Sequence, residues 1–374
     1  MNEKNTSARL RLPMGESLLL ALSLIFLLSF FAFTEVVLCR YMVVTVFVLL
    51  LFIAVRSRLV TVLSILPCLL AFAGAESSPL MPILLCTVAV IGFGGFVVHT
   101  VRLPIVISIP VLSFLLVWGV TNDPMQALWI LILVPVAVTS ALAMRYKLTR
   151  TGAVAAVAVV LCVITVIFLY VALVPSGTVL TKELIGQAIA EFRDAVAEQF
   201  SKAPESMALA ESMGGISEED IRNVLNSALR LLPAVFIIML ELVAYLGCLI
   251  AVTLRSKQFP EHPLPEKCLS FRMSAVSAVL FLICFVLSLL PMGSSDATGI
   301  ALITALNLFV ILQPGLAVCG ILSLLASFKR NRGCFPILIL VLSFWFISVI
   351  PTILALIGSV AVLRTEKQVN RHCR

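Results

Sequence analysis

The sequence predicts an all-α protein, a polytopic transmembrane helical bundle of about ten to eleven spans carrying a small outer helical hairpin. Three observations lead there. The 374 residues are 61% hydrophobic and only 12% charged, against roughly 45–50% and about 25% in soluble domains. Apolar runs of about 17 residues or more recur along the chain, each able to cross the hydrocarbon layer as a helix. The runs are continuously apolar rather than alternating, which excludes a transmembrane β-barrel. One soluble core of this size would not hide so many apolar side chains.

The elements follow in order. Lys4, Arg9 and Arg11 precede a run from Ser17 to Phe33. No small-residue cleavage site with a polar domain follows it, so it reads as a retained helix rather than a signal peptide. Six further runs complete an N-terminal bundle over residues 1–174: Met42–Val55, Leu59–Ala75, Pro79–Val98, Leu103–Val120, Ala127–Met144 and Ala153–Val174. Pro175–Arg230 is the only sizeable polar stretch, with five bases against nine acids. Ile185, Ile189, Phe192, Val196 and Phe200 recur in it at helical spacing. Pro204 and Gly214-Gly215 break the chain, and Ser217 with Asp220 resembles a capping box opening a second helix. That helix runs on into Leu231-Leu232-Pro233. An outer hairpin over 175–230 is expected, although a packed connector without its own function accounts for it as well. The C-terminal membrane region, 231–374, holds Pro233–Leu254, Met273–Met292, Gly299–Phe328 and Pro336–Leu363. The last two carry Pro314 and Pro351, where a tilt or kink is expected.

Charge placement sets the orientation. With the N-terminus cytoplasmic, the inner loops collect Arg56, Arg58, Arg102, Arg145, Lys147, Arg150, Arg255, Lys257, Lys267, Arg272, Lys329, Arg330 and Arg332. The outer turns Glu76–Ser78, Thr121–Gln126 and Gly293–Thr298 hold no Lys or Arg, as the positive-inside rule requires. An eleventh crossing would put Arg364, Lys367, Arg371 and Arg374 outside, so the side of the C-terminus stays open. Because the +7 net charge is spread over span ends, it speaks for a lipid bilayer as partner and against nucleic acid.

Few residues carry chemistry. The ten cysteines are scattered singly, mostly in apolar runs and without a CxxC pair, so no metal, redox or cofactor site is expected. No P-loop, HExxH, GxSxG or kinase-like set occurs, and no catalytic residue is assigned. Glu241 stands out, because a carboxylate midway along Pro233–Leu254 costs several kcal/mol unless protonated, paired or hydrated. Tyr245 and Cys248 follow on the same face. A ligand or proton site and a packing hydrogen bond explain Glu241 equally well. Asn307 and Gln313 are buried amides in the tenth run. Gln313-Pro314-Gly315 is expected to loosen that helix, and only such a break would let both amides line one site. Helix-to-helix hydrogen bonding is the blander account. Gly92, Gly94 and Gly95 lie inside an apolar span and point to close packing rather than phosphate binding. Glu35 and Arg40 snorkel near the outer end of the first hairpin, and His99 is a lone His at an inner boundary. The inner loop Arg255–Arg272, with Pro260, Pro263 and Pro265, reads as a stiff connector or a docking site.

The second half resembles the YybS-like family of bacterial multi-pass membrane proteins, which carry a domain of unknown function. The carrying features are Leu232-Pro233 opening a helix after a polar stretch and a Pro-containing basic inner loop. Asn307-Leu308 with Gln313-Pro314-Gly315-Leu316-Ala317 follows, then Gly358 and Arg364. They cover roughly Leu231 to Arg364. Pro314 stands between the Gln and Gly that adjoin in the family pattern, and the acidic residue expected after Gly358 is missing. The resemblance implies a bacterial inner (plasma) membrane protein of unassigned activity.

The functional expectation is the binding or transport of a small molecule or lipid, with Glu241, Tyr245, Asn307 and Gln313 as candidate ligand-binding residues. With no nucleotide site of its own, the protein would take energy from an ion gradient or a separate ATPase. The alternative is a membrane scaffold or assembly factor that holds protein partners through the outer hairpin and inner loops. An enzyme is a third reading, without a nucleophile–base set to support it.

Overall fold

A computed structural model describes residues 10–30, 32, 80–173, 218–289, 296–331 and 350–372. The expected spans Met42–Val55 and Leu59–Ala75, the first hairpin helix, Glu35 and Arg40, and the start of the last span lie outside the described residues. Among the described residues every regular element is helical. They are α1 (Met14–Leu28), α2 (Leu80–Ala89), a π-helical turn (Val90–Gly94), α3 (Gly95–Thr100), α4 (Leu103–Thr121), α5 (Pro124–Arg145) and α6 (Arg150–Leu173). After them come α7 (Glu218–Gln258), the single turn α8 (Glu266–Leu269), α9 (Ala275–Ser288), α10 (Asp296–Asn331) and α11 (Ile350–His372).

Six of the described helical stretches are long and apolar enough to cross a membrane: Ile83–Thr100, Leu103–Thr121, Ala127–Arg145, Arg150–Ile167, Arg230–Gln258 and Ile300–Ala326. Met14–Leu28, Ala275–Ser288 and Ile350–Thr365 are shorter apolar helices. The chain is thus a multi-pass helical membrane protein.

By contacts the chain forms two units. The first comprises the described residues of Met1–Phe168 and Met239–Phe271, the second those of Leu169–Ile238 and Arg272–Arg374. Helix α7 contributes to both. It begins at Glu218, directly after the Ser217 of the expected capping box, and passes Pro233 without interruption, so the second hairpin helix and the following span are one helix. At 41 residues it is about 60 Å long, twice the roughly 30 Å of a hydrocarbon core.

In the first unit the stretch through α2, the π turn and α3 is central. Of its span residues 61% are buried, against 17% in α4 and in α6, whose exposed Val, Ile and Leu side chains suit contact with lipid. Helix α1 runs antiparallel to it: Leu12 N–H donates to the Thr100 carbonyl at 3.3 Å, and the Cys86 thiol meets the Leu27 carbonyl at 3.7 Å. Two short turns make the next hairpins. Asn122, at φ 54°, caps α4 with its N–H on the Trp118 carbonyl. Lys147, at φ 52°, lies in the turn between α5 and α6. These reversals bring Arg102, Arg145, Lys147 and Arg150 to one end of the unit, while the turn at the other end, Asn122–Asp123, has no base. The charge alternation read from the sequence therefore corresponds to a spatial segregation.

The glycine-rich run packs closely, as its apolar setting implies. A Cβ on Gly92 would lie 2.7 Å from Ile250 Cβ, and one on Gly94 3.0 Å from Ala137 Cβ. Gly95 backs onto Ser140, and Gly247 of α7 onto Ile91. The π turn spanning Val90–Gly94, whose residues are all buried, sits at this crossing with α7. Its side chains join Val136, Val157, Leu161, Val243 and Cys248 in one apolar cluster through Ile91.

The second unit is built on α10 and α11. Gly320 and Gly358 bring these helices into backbone contact, since a Cβ on Gly320 would strike the Leu354 carbonyl and one on Gly358 the Leu316 carbonyl. Phe281 of α9 stacks on Phe309 of α10 at 5.1 Å, and Leu316 and Ala355 are fully buried beside them.

Candidate functional site

Glu241 and Tyr245 belong to the first unit, Asn307 and Gln313 to the second. Asn307 is spent on a contact with α7. Pro233 has no N–H to donate to the Leu229 carbonyl one turn back. One residue on, the Asn307 amide reaches two backbone groups of α7. Its Oδ1 accepts from Ala234 N–H at 3.1 Å, and its Nδ2 donates to the Arg230 carbonyl at 3.0 Å. Nδ2 also reaches the carbonyl of Ile303 at 2.9 Å, one turn back on its own helix. Gln313 Nε2 donates to Thr352 Oγ1 at 2.9 Å, tying α10 to α11. Helix α10 stays helical across Pro314, so the expected break is not there. A proline-freed carbonyl does not end a helix that neighbouring helices hold in place. Six residues apart on a continuous helix, the two amides point roughly 120° apart, and they bond to different helices.

Tyr245 has a charged partner that sequence reading did not supply. The Tyr245 hydroxyl accepts from Arg150 Nη2 at 2.7 Å, the guanidinium carbon lies 4.7 Å from the ring centroid, and Phe271 meets the ring edge-on at 6.1 Å. Arg150 is thus held at the first residue of α6 by a charged hydrogen bond and a cation–π contact. Glu241 lies one turn before Tyr245 on α7 and is half-buried.

Beside this pair, at the arginine-rich end of the first unit, is a cavity of about 120 Å³. Ser140 and Met144 of α5, Arg150 of α6, Cys248 and Ser256 of α7, and Cys268 of α8 contribute to its wall. None of the four sequence candidates lines it, but Tyr245 fixes a residue that does. Arg255, only 6% exposed, stands behind this wall rather than in it. Arg255 Nη1 donates to the carbonyl of the wall residue Met144 at 3.2 Å, while its Nε is buried without a hydrogen-bond partner. Ser140 Oγ and His99 Nε2 are likewise buried and unpartnered among the described residues, and Arg145 and Arg255 are within electrostatic reach of His99. In the sequence Arg150 and Arg255 serve only as orientation signals. One clue to Arg255 was present: Leu240, Ala244, Cys248, Ala251 and Arg255 recur every three or four residues, one stripe of α7 that the fold buries throughout.

The family described as "Predicted membrane protein (DUF2232)" matches residues 65–360. The chain belongs to this family. The DUF2232 match reaches well ahead of Leu231, where the resemblance seen in the sequence begins, and takes in α2 through the first part of α11, with Arg150, Tyr245 and Arg255 inside it. No curated protein and no solved structure matches the chain. Membership states that the protein is a membrane protein and assigns it no activity.

Proposed function

We propose that this DUF2232 protein binds a small molecule or lipid inside its helical bundle and works as a transport-type protein of the bacterial inner membrane. The observation that carries the reading is the cavity at the arginine-rich end of the first unit. It is concave, mixed apolar and polar, and its polar groups converge from four helices, as in small-ligand sites generally. Movement of the ligand would draw on an ion gradient or a separate ATPase. Tyr245 positions Arg150 at the cavity, and Glu241, one turn deeper in the span, is the polar group a ligand or proton would meet next. The N-terminus and the arginine-rich end are read as cytoplasmic. The scaffold reading rests on the hairpin 175–230, of which only the part from Glu218 is described, and on the inner loops.

Native mass spectrometry of the full chain, released gently from its own membrane, tests the proposal. A reproducible small-molecule adduct that is lost in Arg150→Ala supports it. A bare chain with a stoichiometric protein partner would put the scaffold reading in its place. In the same assay, an adduct unaffected by Glu241→Gln would remove Glu241 from the site.

A further inference from the structure

We propose that the basic C-terminal end of α11, brought to the cytoplasmic side by the direction of that helix, binds the anionic lipid headgroups of the inner leaflet. The surface belongs to the second unit and is independent of the ligand cavity in the first.

The contacts between α10 and α11 fix their relative direction. Gln313 bonds to Thr352, and farther along both helices Gly320 meets Leu354 and Gly358, while Gly358 meets Leu316. Residue numbers rise together on the two helices, so they run parallel. An antiparallel pair crossing at these glycines would carry Thr352 about nine residues, roughly 13 Å, away from Gln313. Helix α9 runs the other way: Met273 lies against Gly315, and Phe281 and Phe285 stack on Phe309. It starts just after Arg272, the last base of the inner loop. The end of the unit that holds the N-terminus of α9 therefore holds the C-termini of α10 and α11. Ile350, where α11 begins, is level with Leu312, about 28 Å back along α10 from Asn331. With the inner loop cytoplasmic, Arg364, Lys367 and Arg371 are cytoplasmic too, as the positive-inside rule asks.

Charge and depth then name the partner. Gly320 and Gly358 are 38 residues apart, and so are Lys329 and Lys367, which sets these two bases at one level. Lys329 and Arg330 close α10, and Arg364, Lys367 and Arg371 follow at three- and four-residue spacing on α11. Against these five bases, Glu366 is the one acid within Lys329–Asn331 and Arg364–His372. Arg364 is exposed. The apolar part of α11 stops at Thr365, and the helix continues to His372, about 10 Å farther. A headgroup layer is roughly 5–7 Å deep on each side of the hydrocarbon core, so this basic segment passes through it. An anionic leaflet attracts juxtamembrane bases, and the attraction fades within a Debye length, about 8 Å at physiological salt. A soluble polyanion would have to displace the headgroups already at that depth, which favours lipid.

The test uses the full chain. A reporter fused after Arg374 should read as cytoplasmic in cells, and an external reading would overturn the proposal at its root. Native mass spectrometry from nanodiscs of mixed phosphatidylcholine and phosphatidylglycerol then counts the lipid that stays bound. Wild type should retain phosphatidylglycerol in preference, and less of it as salt is raised. Arg364→Gln, Lys367→Gln and Arg371→Gln combined should retain about threefold less, with helicity at the wild-type level. Arg364→Lys with Arg371→Lys keeps the charge and should keep the retention, and a loss there would refute recognition by charge. Equal retention in wild type and the triple Gln variant would refute the headgroup assignment. So would salt-sensitive capture of a soluble polyanion in place of the lipid.

Discussion

Asn307 shows how a single polar residue inside a membrane helix acquires its role. Its amide bonds the Ala234 N–H and the Arg230 carbonyl of α7 beside Pro233. Asn307→Leu removes both bonds, each contributing about 0.5–1.5 kcal/mol. Unfolding in denaturing detergent should show the loss, and wild-type stability in that variant would contradict the contact. Tyr245 offers a second residue-scale case. Tyr245→Phe keeps the ring beneath Arg150 but removes the acceptor held at 2.7 Å, and a hydrogen bond to a charged group contributes about 1.5–3 kcal/mol. Ligand affinity at the cavity should fall about tenfold or more in an equilibrium titration, while overall helicity stays at the wild-type level. The sequence marked Asn307, Gln313 and Tyr245 as unusual because polar groups in apolar runs are unusual. It could not name their partners, which lie from 39 to 95 residues away along the chain.

Among the elements, the pair α10–α11 is held by the closest backbone approach described in the second unit. Gly320→Ala or Gly358→Ala would push a methyl group into a carbonyl of the facing helix. Overpacking of this kind costs typically 1–3 kcal/mol and sometimes more. A control comes from α4, where Gly119 has no neighbour within 4 Å of a built Cβ. Gly119→Ala should be neutral or stabilising by up to about 1 kcal/mol from helix propensity. Thermal unfolding of the three variants in one detergent would check both directions, and equal effects would contradict the packing described here. Helix type was legible for the apolar elements, since continuous apolar runs leave few alternatives, but not for the turn α8 inside the inner loop or for the π turn. Helix length was less so. The capping residues before Glu218 and the run after Pro233 read as two elements, and only their neighbours make them one helix. Pro314 gave the opposite error, a local rule for breakage overruled by packing on both sides.

For the whole molecule, the gathering of Arg102, Arg145, Lys147 and Arg150 at one end of the first unit leads to a prediction about orientation. Reporter fusions after Lys147 and after Pro263 should read as cytoplasmic, and one after Asp123 as external. The reverse pattern would invert the proposed topology without altering the fold. By itself the sequence determined the membrane class, the helical architecture and the alternation of charged and uncharged turns. Those follow from composition, run length and the cost of placing Lys or Arg in hydrocarbon, all local quantities. Only the tertiary structure decided that Asn307 bonds α7 beside Pro233, that Gly320 faces the Leu354 carbonyl, and that Arg150 and Ser140 meet at one cavity. Those are meetings of distant segments, and they depend on which face each helix turns to its neighbours. Apolar runs nearly uniform around the helix leave that face unmarked in the sequence.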